Sequence, residues 1–374
     1  MPAFLSHSSA NKSFVDAVFS ALGPSIAEYD DKTFSAGKFN TEAMRDAIAR
    51  SNLFVLFATR QSLDSGFVEY EINIANEFLA SRRIRRILTF CIDGVSPSDL
   101  PDSLRLISAV RRTVSVGTAA RLIRSLLIEL EISASKVENP YLGREAITRD
   151  IKARLAAPDE HTPIAIAFSG IDGVGRRTLA SRALVDVYPG TPKDQPSIVL
   201  EATSDTRDLY RGLLEALGGL SKSEIFEKIE QFELIDQPTR YSNIIGLLET
   251  LNRNNEVLFV IDNGGVLEED GRLSTDLRNL LDQLRQRRWS LPYFILILYR
   301  TPPASVREKS DVYYFRVDPI DTDDVKNLIA LHVKKKGQIA KSSEVSRLVD
   351  LTDGHPYNIQ FLLRLLKIVN QFNH

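Results

Sequence analysis

Two stretches of this 374-residue chain hold residues whose types and spacing suit chemistry. In the middle, the apolar run Ile164-Ala165-Ile166-Ala167-Phe168 leads into Ser169-Gly170-Ile171-Asp172-Gly173-Val174-Gly175-Arg176-Arg177, and a helix-prone segment, 178–184, follows. A strand, a glycine-rich loop and a helix start together cradle phosphate oxygens on backbone N–H groups. Such a loop normally closes on Lys, which reaches the terminal phosphates, and on Ser or Thr, which holds magnesium. Here Arg176 and Arg177 stand in those places, with Thr178 one residue on. Arg176 keeps a fork able to take phosphate oxygens bidentately, so the loop is expected to bind phosphate without supporting hydrolysis. The second stretch is N-terminal. Ser6-His7-Ser8 follows the run Ala3-Phe4-Leu5, and Glu71 stands where Val68, Ile72, Ala75 and Leu79 recur at helical spacing. That spacing places Glu71 at the edge of a buried stripe, in the first turn of its helix and at a cleft mouth, where the dipole favours the ionised carboxylate. An anion held there suits stabilisation of positive charge.

The elements that must position these residues follow from periodicity. Short apolar runs at 3–5, 25–29, 53–58 and 87–92 alternate with helix-period segments at 11–22, 41–50, 68–79 and 119–130. Alternation of this kind predicts a parallel sheet with helices on both faces, whose ligands collect at the carboxyl ends of the strands. Those ends carry Ser6, His7 and Ser8, a loop at 32–40 containing Gly37, Lys38 and Phe39 after Asp30 and Asp31, and the stretch 59–67 ending in Phe67. Residues 132–139 are polar and precede Pro140-Tyr141-Leu142-Gly143-Arg144-Glu145, which reads as a domain boundary. Beyond the glycine loop, apolar runs at 197–201, 257–261 (ending in Asp262-Asn263), 294–300 and 312–317 predict a second, doubly wound parallel sheet. The expected organisation is 1–132, a linker with a lead-in helix at 133–157, a domain at 158–320 and a small helical lid at 321–374.

Composition bounds the partners. Lys plus Arg (47) nearly cancels Asp plus Glu (49), so no global field draws nucleic acid or an anionic membrane. The basic clusters at 82–86, 285–288 and 334–336 are short and read as solvated surface. Cys91 is the chain's single cysteine, which rules out an intrachain disulfide or a cysteine metal cluster and fits a reducing compartment. The five histidines lack metal-ligand spacing, so no metal site is expected. Met1 leads into polar residues without a basic, apolar leader, and no apolar run can span a bilayer, so the expected location is the cytoplasm, away from membrane.

Phe4-Leu5-Ser6-His7-Ser8-Ser9, Tyr29-Asp30 with Gly37 beyond, Ala47-Ile48-Ala49-Arg50-Ser51 and Ser65-Gly66-Phe67-Val68-Glu69-Tyr70-Glu71 resemble a bacterial TIR domain over roughly the first 130 residues. The resemblance implies a flavodoxin-like fold and, in many members, cleavage of NAD⁺ between nicotinamide and ribose by a glutamate that falls here on Glu71. Ser6, His7, Lys38, Phe39 and Phe67 are then expected to line the NAD⁺ cleft. Phe67 departs from the family, which usually has Trp four residues before the glutamate. Many TIR domains are instead non-catalytic adaptors that signal by self-association and partner binding, and that alternative stays open.

Leu142-Gly143-Arg144-Glu145, the glycine loop, Asp262, Arg300 and Gly354-His355-Pro356 resemble a STAND-type P-loop NTPase module of the NB-ARC/NACHT class. The resemblance implies a nucleotide site built from Gly170, Gly173, Gly175, Arg176, Arg177, Thr178, Asp262, Arg300 and Pro356. Asn263 stands where hydrolytic members often carry an acid, so ATP or ADP is expected to bind without hydrolysis. The combined expectation is an NAD⁺ nucleosidase acting as a prokaryotic antiphage effector. Its control is expected through self-association of both domains and a protein or nucleic-acid trigger on another subunit. A linear and a cyclised ADP-ribose product are both compatible with the residues.

Overall fold

The computed structural model describes residues 2–29, 41–112, 115–135, 144–155, 162–287, 289–307, 312–335, 346–347, 349–356 and 358–359. In chain order its elements are β1 (Ala3–Ser6), α1 (Lys12–Leu22), β2 (Ala27–Glu28), α2 (Thr41–Arg50), β3 (Leu53–Ala58), α3 (Arg60–Leu63), α4 (Gly66–Ala80), β4 (Arg86–Cys91), α5 (Asp102–Ile107), β5 (Ser108–Arg112) and α6 (Val116–Ser135). There follow α7 (Glu145–Leu155), β6 (Ala165–Ser169), α8 (Arg176–Val187), β7 (Ser197–Glu201), α9 (Thr206–Leu217), α10 (Lys222–Leu234), α11 (Gln237–Arg253), β8 (Leu258–Asn263), α12 (Thr275–Leu284), β9 (Phe294–Leu298), α13 (Ala304–Arg307), β10 (Val312–Arg316) and α14 (Thr322–Lys335). Two compact units emerge: Met1–Val137 with Tyr210–Glu256, and Glu138–Leu209 with Val257–His374.

In the first unit five parallel strands run in the order β2-β1-β3-β4-β5, the flavodoxin-like order. Leu53-Phe54-Val55-Leu56-Phe57-Ala58 reads as an unbroken apolar run because β3 is central and buried on both faces. Strand alternation then sorts the core into two layers. Ala3, Leu5, Val55, Phe57, Leu88 and Phe90 pack with Val15 and Val18 of α1 and Ala119 and Ile123 of α6. Phe4, Phe54, Leu56 and Ile87 face the other way, onto Met44 and Ile48 of α2 and Val68, Ile72, Ala75 and Phe78 of α4. The expected strands and helices of this sheet are present, joined by β5, which sequence periodicity passes over. Ser108, Arg111 and Arg112 interrupt its apolar character, and it pairs with β4 alone at the sheet edge.

The same unit includes residues 210–256. Tyr210 and Phe232 stack with centroids 4.1 Å apart. Ser221 and Glu224 close a capping box at the start of α10, and Asp236 caps α11. Against α6, the wholly buried Glu256 carboxylate accepts from Arg121 Nε at 2.7 Å, Arg121 Nη2 at 2.8 Å and the Thr118 hydroxyl at 2.7 Å. Arg121 also donates to the Ala216 carbonyl at 2.7 Å.

The second unit is an α/β domain on a parallel sheet ordered β10-β6-β9-β8-β7. β6 and β9 are buried at every position, whereas the edge strand β7 alternates exposed and buried, so burial follows rank in the sheet. Phe168, Leu179, Ala183, Phe259, Ile297 and Phe315 form its core. With a glycine loop joining the inner strand β6 to α8, this is the expected doubly wound, P-loop NTPase-like arrangement. Val325 and Ile329 of α14 cluster with Ile320, Val349 and Ile359 where the helical lid was expected. Among the described residues no helix is long and apolar enough to cross a membrane.

Candidate functional site

β1 delivers Ser6 to the carboxyl edge of the first sheet. Because side chains alternate along a strand, Ser6 shares the face of Phe4, the face covered by α4. There the Ser6 hydroxyl donates to Glu71 Oε2, and the two residues are 1% and 2% exposed. The expectation of Glu71 at an open rim in a first turn is corrected on both counts. Ser65 caps α4 by accepting from the Val68 N–H at 3.5 Å, so the helix starts at Gly66 and Glu71 falls in its second turn. Standing three residues after Val68 and four before Ala75, Glu71 lies within the buried stripe; the acid of the first turn is the exposed Glu69.

Neighbouring polar groups extend this edge. Thr59, which follows β3, and Ser62 form a reciprocal capping box, with Ser62 N–H to Thr59 Oγ1 at 3.1 Å and Thr59 N–H to Ser62 Oγ at 2.7 Å. The Ser8 and Thr59 hydroxyls are 3.5 Å apart. His7 meets Tyr29 edge-on at 5.6 Å, and Tyr29 donates to Asp16 at 2.6 Å. Half-buried Phe67 packs on the same core layer as Val68 and Ile72. Lys38 and Phe39 lie outside the described residues. Thr59 and Ser62 are placed by the sequence only within the polar stretch 59–67, and the pairing between them required the fold.

The glycine loop of the second unit is tightly built. A Cβ on Gly170 would stand 2.3 Å from the Val317 carbonyl oxygen, and one on Gly173, which has φ +72°, would stand 2.4 Å from the His355 ring. Gly175 forms the N-cap of α8, with Pro356 beside it. His355 Nε2 hydrogen-bonds the Asp172 carbonyl, so 354–356 closes over the loop. Buried Arg144 holds the loop from below, donating to the Val174 carbonyl at 2.8 Å and to that of Asp318. His355 and Arg144 belong to motifs the sequence displays, but their contact with the loop required the fold.

Most of the expected phosphate and magnesium groups make contacts within the protein. Arg176 donates to the Leu298 carbonyl and to Asp172 Oδ1, the latter at 2.9 Å. Arg177 reaches Ser197 Oγ at 3.2 Å, and Thr178 is exposed. Asp262 Oδ1 accepts from the N–H groups of Gly264 at 3.1 Å and Val266 at 3.0 Å, and burial pushes its carboxyl pKa up. Its Oδ2 is buried without a hydrogen-bond partner among the described residues. Asn263 donates to the Glu201 carboxylate. Arg300 donates to the carbonyls of Glu268 and Glu269.

Residues 3–123 match the family model described as TIR domain. The first sheet is a TIR domain. The curated relatives are similar to this chain over part of its length. GTPase Der of Pseudomonas syringae pv. tomato is 29% identical over 182 residues, 47% of this chain and 33% of that protein. GTPase Der of Pseudomonas fluorescens is 29% identical over 161 residues, 39% and 30%. The chain thus spans about a third of the length of these relatives. Among solved structures, the Thermotoga maritima RuvB Holliday junction branch migration motor is 13% identical, covers 62% of this chain and 65% of that one, and has a TM-score of 0.37. The Walker-type ATPase of Pyrococcus abyssi is 17% identical, with 60% and 67% covered and a TM-score of 0.34. The reading of the second unit rests on its own sheet order and loop.

Proposed function

We propose that the TIR domain cleaves NAD⁺ between nicotinamide and ribose, with Glu71 as the catalytic carboxylate. The observation that carries this reading is the Glu71 carboxylate itself, buried at the carboxyl edge of β1 and β3 and tethered by Ser6. As the C1′–N bond breaks, its electron pair neutralises the pyridinium of nicotinamide and positive charge develops on the ribose. A carboxylate in low-dielectric surroundings stabilises that charge more strongly than one in water. Nicotinamide leaves neutral, so no acid need protonate it; water or a hydroxyl of the substrate then closes on C1′ and loses a proton. His7 and Phe67 would line the substrate site, with Lys38 and Phe39, while Ser6 would hold Glu71 behind it.

Full-length protein incubated with NAD⁺ should release nicotinamide, and Glu71→Gln should abolish release while the protein stays folded. Equal release by both proteins would discard this reading in favour of a non-catalytic TIR adaptor, to which a buried, hydrogen-bonded glutamate is equally suited.

The second unit is proposed to be a STAND-like regulatory module that binds ADP or ATP without hydrolysing it and controls the TIR domain through oligomerisation, in a prokaryotic immune effector. Support for the absence of hydrolysis comes from Arg176 and Asp262 Oδ1, both engaged by protein groups where phosphate and magnesium would need them. Because the Der relatives are GTPases by name, GDP and GTP belong in the same thermal-shift series as ADP and ATP. Steady phosphate release above an Asp262→Ala control would overturn the non-hydrolytic reading.

A further inference from the structure

Ser6 and Glu71 are 65 residues apart and both are buried, yet their side chains meet. Three independent features of the chain bring them together. Period-2 alternation turns Ser6 to the α4 face, parallel pairing sets Ser6 opposite Leu56 of β3, and the packing of Val68, Ile72, Ala75 and Phe78 turns α4 so that Glu71 points inward. The layer they enter is largely apolar, lined by Phe4, Leu56, Ala58, Val68 and Ile72, with buried Thr89 in register beside Leu56. A carboxylate in such a layer is oriented by whatever hydrogen bonds it can make, because water does not compete for it. A hydroxyl on a rigid strand is a donor that cannot follow the carboxylate if the latter rotates.

We propose that Ser6 is a positioning residue: its hydroxyl fixes one oxygen of the Glu71 carboxylate, and so its plane, toward the ribose at which positive charge develops. This rests on the NAD⁺-cleavage reading above. Ser6 acts through Glu71 and not by binding substrate, so its loss weakens the reaction step more than substrate binding. Misplacement of a fixed catalytic group is expensive even at small amplitude.

The test uses the full chain with NAD⁺ as probe, measuring nicotinamide release and melting temperature for Ser6→Ala, Ser6→Thr, Glu71→Gln and the Ser6→Ala/Glu71→Gln pair. Ser6→Ala should lower kcat by about tenfold or more, the range for losing a hydrogen bond to a charged group, with KM changed less than about twofold. Ser6→Thr keeps the hydroxyl on a strand position that favours β-branched residues, and should recover most of the loss. Parental kcat in Ser6→Ala, or equal losses in the Ala and Thr variants, would overturn the proposal, as would a rise in KM with kcat unchanged. Equal activity of parent and Glu71→Gln would instead discard the NAD⁺ reading. The Ser6–Glu71 bond is judged separately by melting temperature, where the two substitutions should be non-additive; strict additivity overturns the positioning contact whatever the activity.

Discussion

At the scale of single residues, the buried carboxylates Glu71 and Asp262 stand in different surroundings in the two units. Glu71 meets a hydroxyl donor among apolar neighbours, whereas Asp262 gives one oxygen to two backbone N–H groups at a turn and holds the other in a buried position. Burial lifts the pKa of Asp262 above its ordinary 3.8. Between that value and the raised one, the folded chain keeps a proton that the unfolded chain releases, so stability falls as pH rises through the window. Asp262→Asn keeps an oxygen acceptor for the Gly264 and Val266 N–H groups and has no charge to bury. Its melting temperature should therefore decline less than the parent's as pH rises above that ordinary value; parallel curves in a pH series of thermal melts would refute this. Phe67 belongs to the same scale. As a half-buried ring on the α4 layer, its replacement by Ala should lower the melting temperature and weaken NAD⁺ cleavage together.

At the scale of elements, the glycine loop and α6 each depend on a contact that a single substitution can remove. Gly173→Ala adds a methyl 2.4 Å from the His355 ring at a φ of +72°, so it should destabilise the second unit both by clash and by backbone strain. His355→Ala removes the clash but not the strain, so the double variant should recover part of the lost melting temperature; full additivity of the two losses would contradict the contact. In the first unit, Glu256→Ala strands Arg121, which is 11% exposed, and leaves Thr118 without its acceptor. Breaking a buried pair from one side costs about 3–5 kcal/mol, so a urea titration should show the first unit unfolding well before the parent. A shift below about 1 kcal/mol would mean that water replaces Arg121's partner.

At the scale of the whole molecule, the first compact unit is larger than the TIR family match, because residues 210–256 belong to it. A fragment ending at residue 131 lacks Glu256 and Ala216, the groups that Arg121 bonds. It should melt below the corresponding transition of the full chain, and Arg121→Leu should narrow the gap by removing the stranded charge. The oligomer-controlled reading makes a further demand. If self-association orders the TIR domains, nicotinamide release per molecule should rise more than in proportion to concentration. Specific activity measured alongside mass by light scattering decides this, and constant activity in a strictly monomeric sample would eliminate it.

The sequence by itself determined the two parallel sheets, most of their strands, the glycine loop and the type of residue at each candidate position. These are local properties, written in periodicity, in unbroken apolar runs such as 53–58 and in a motif nine residues long. It placed Glu71 on the right helix but on the wrong side of the stripe boundary, since the apolar spacing pointed to a face through Val68, Ile72, Ala75 and Leu79, whereas packing buries Phe78 in place of Leu79 and so turns the buried face toward Glu71. β5 escaped notice because an edge strand with Ser108 and two arginines carries no apolar signal. The tertiary structure alone decided who meets whom: Ser6 with Glu71 across 65 residues, His355 with the loop at Gly173, and Glu256 with Arg121 across 135. Each of these contacts joins elements distant in the chain. No local pattern encodes them, because they arise from strand order, helix phase and burial acting together.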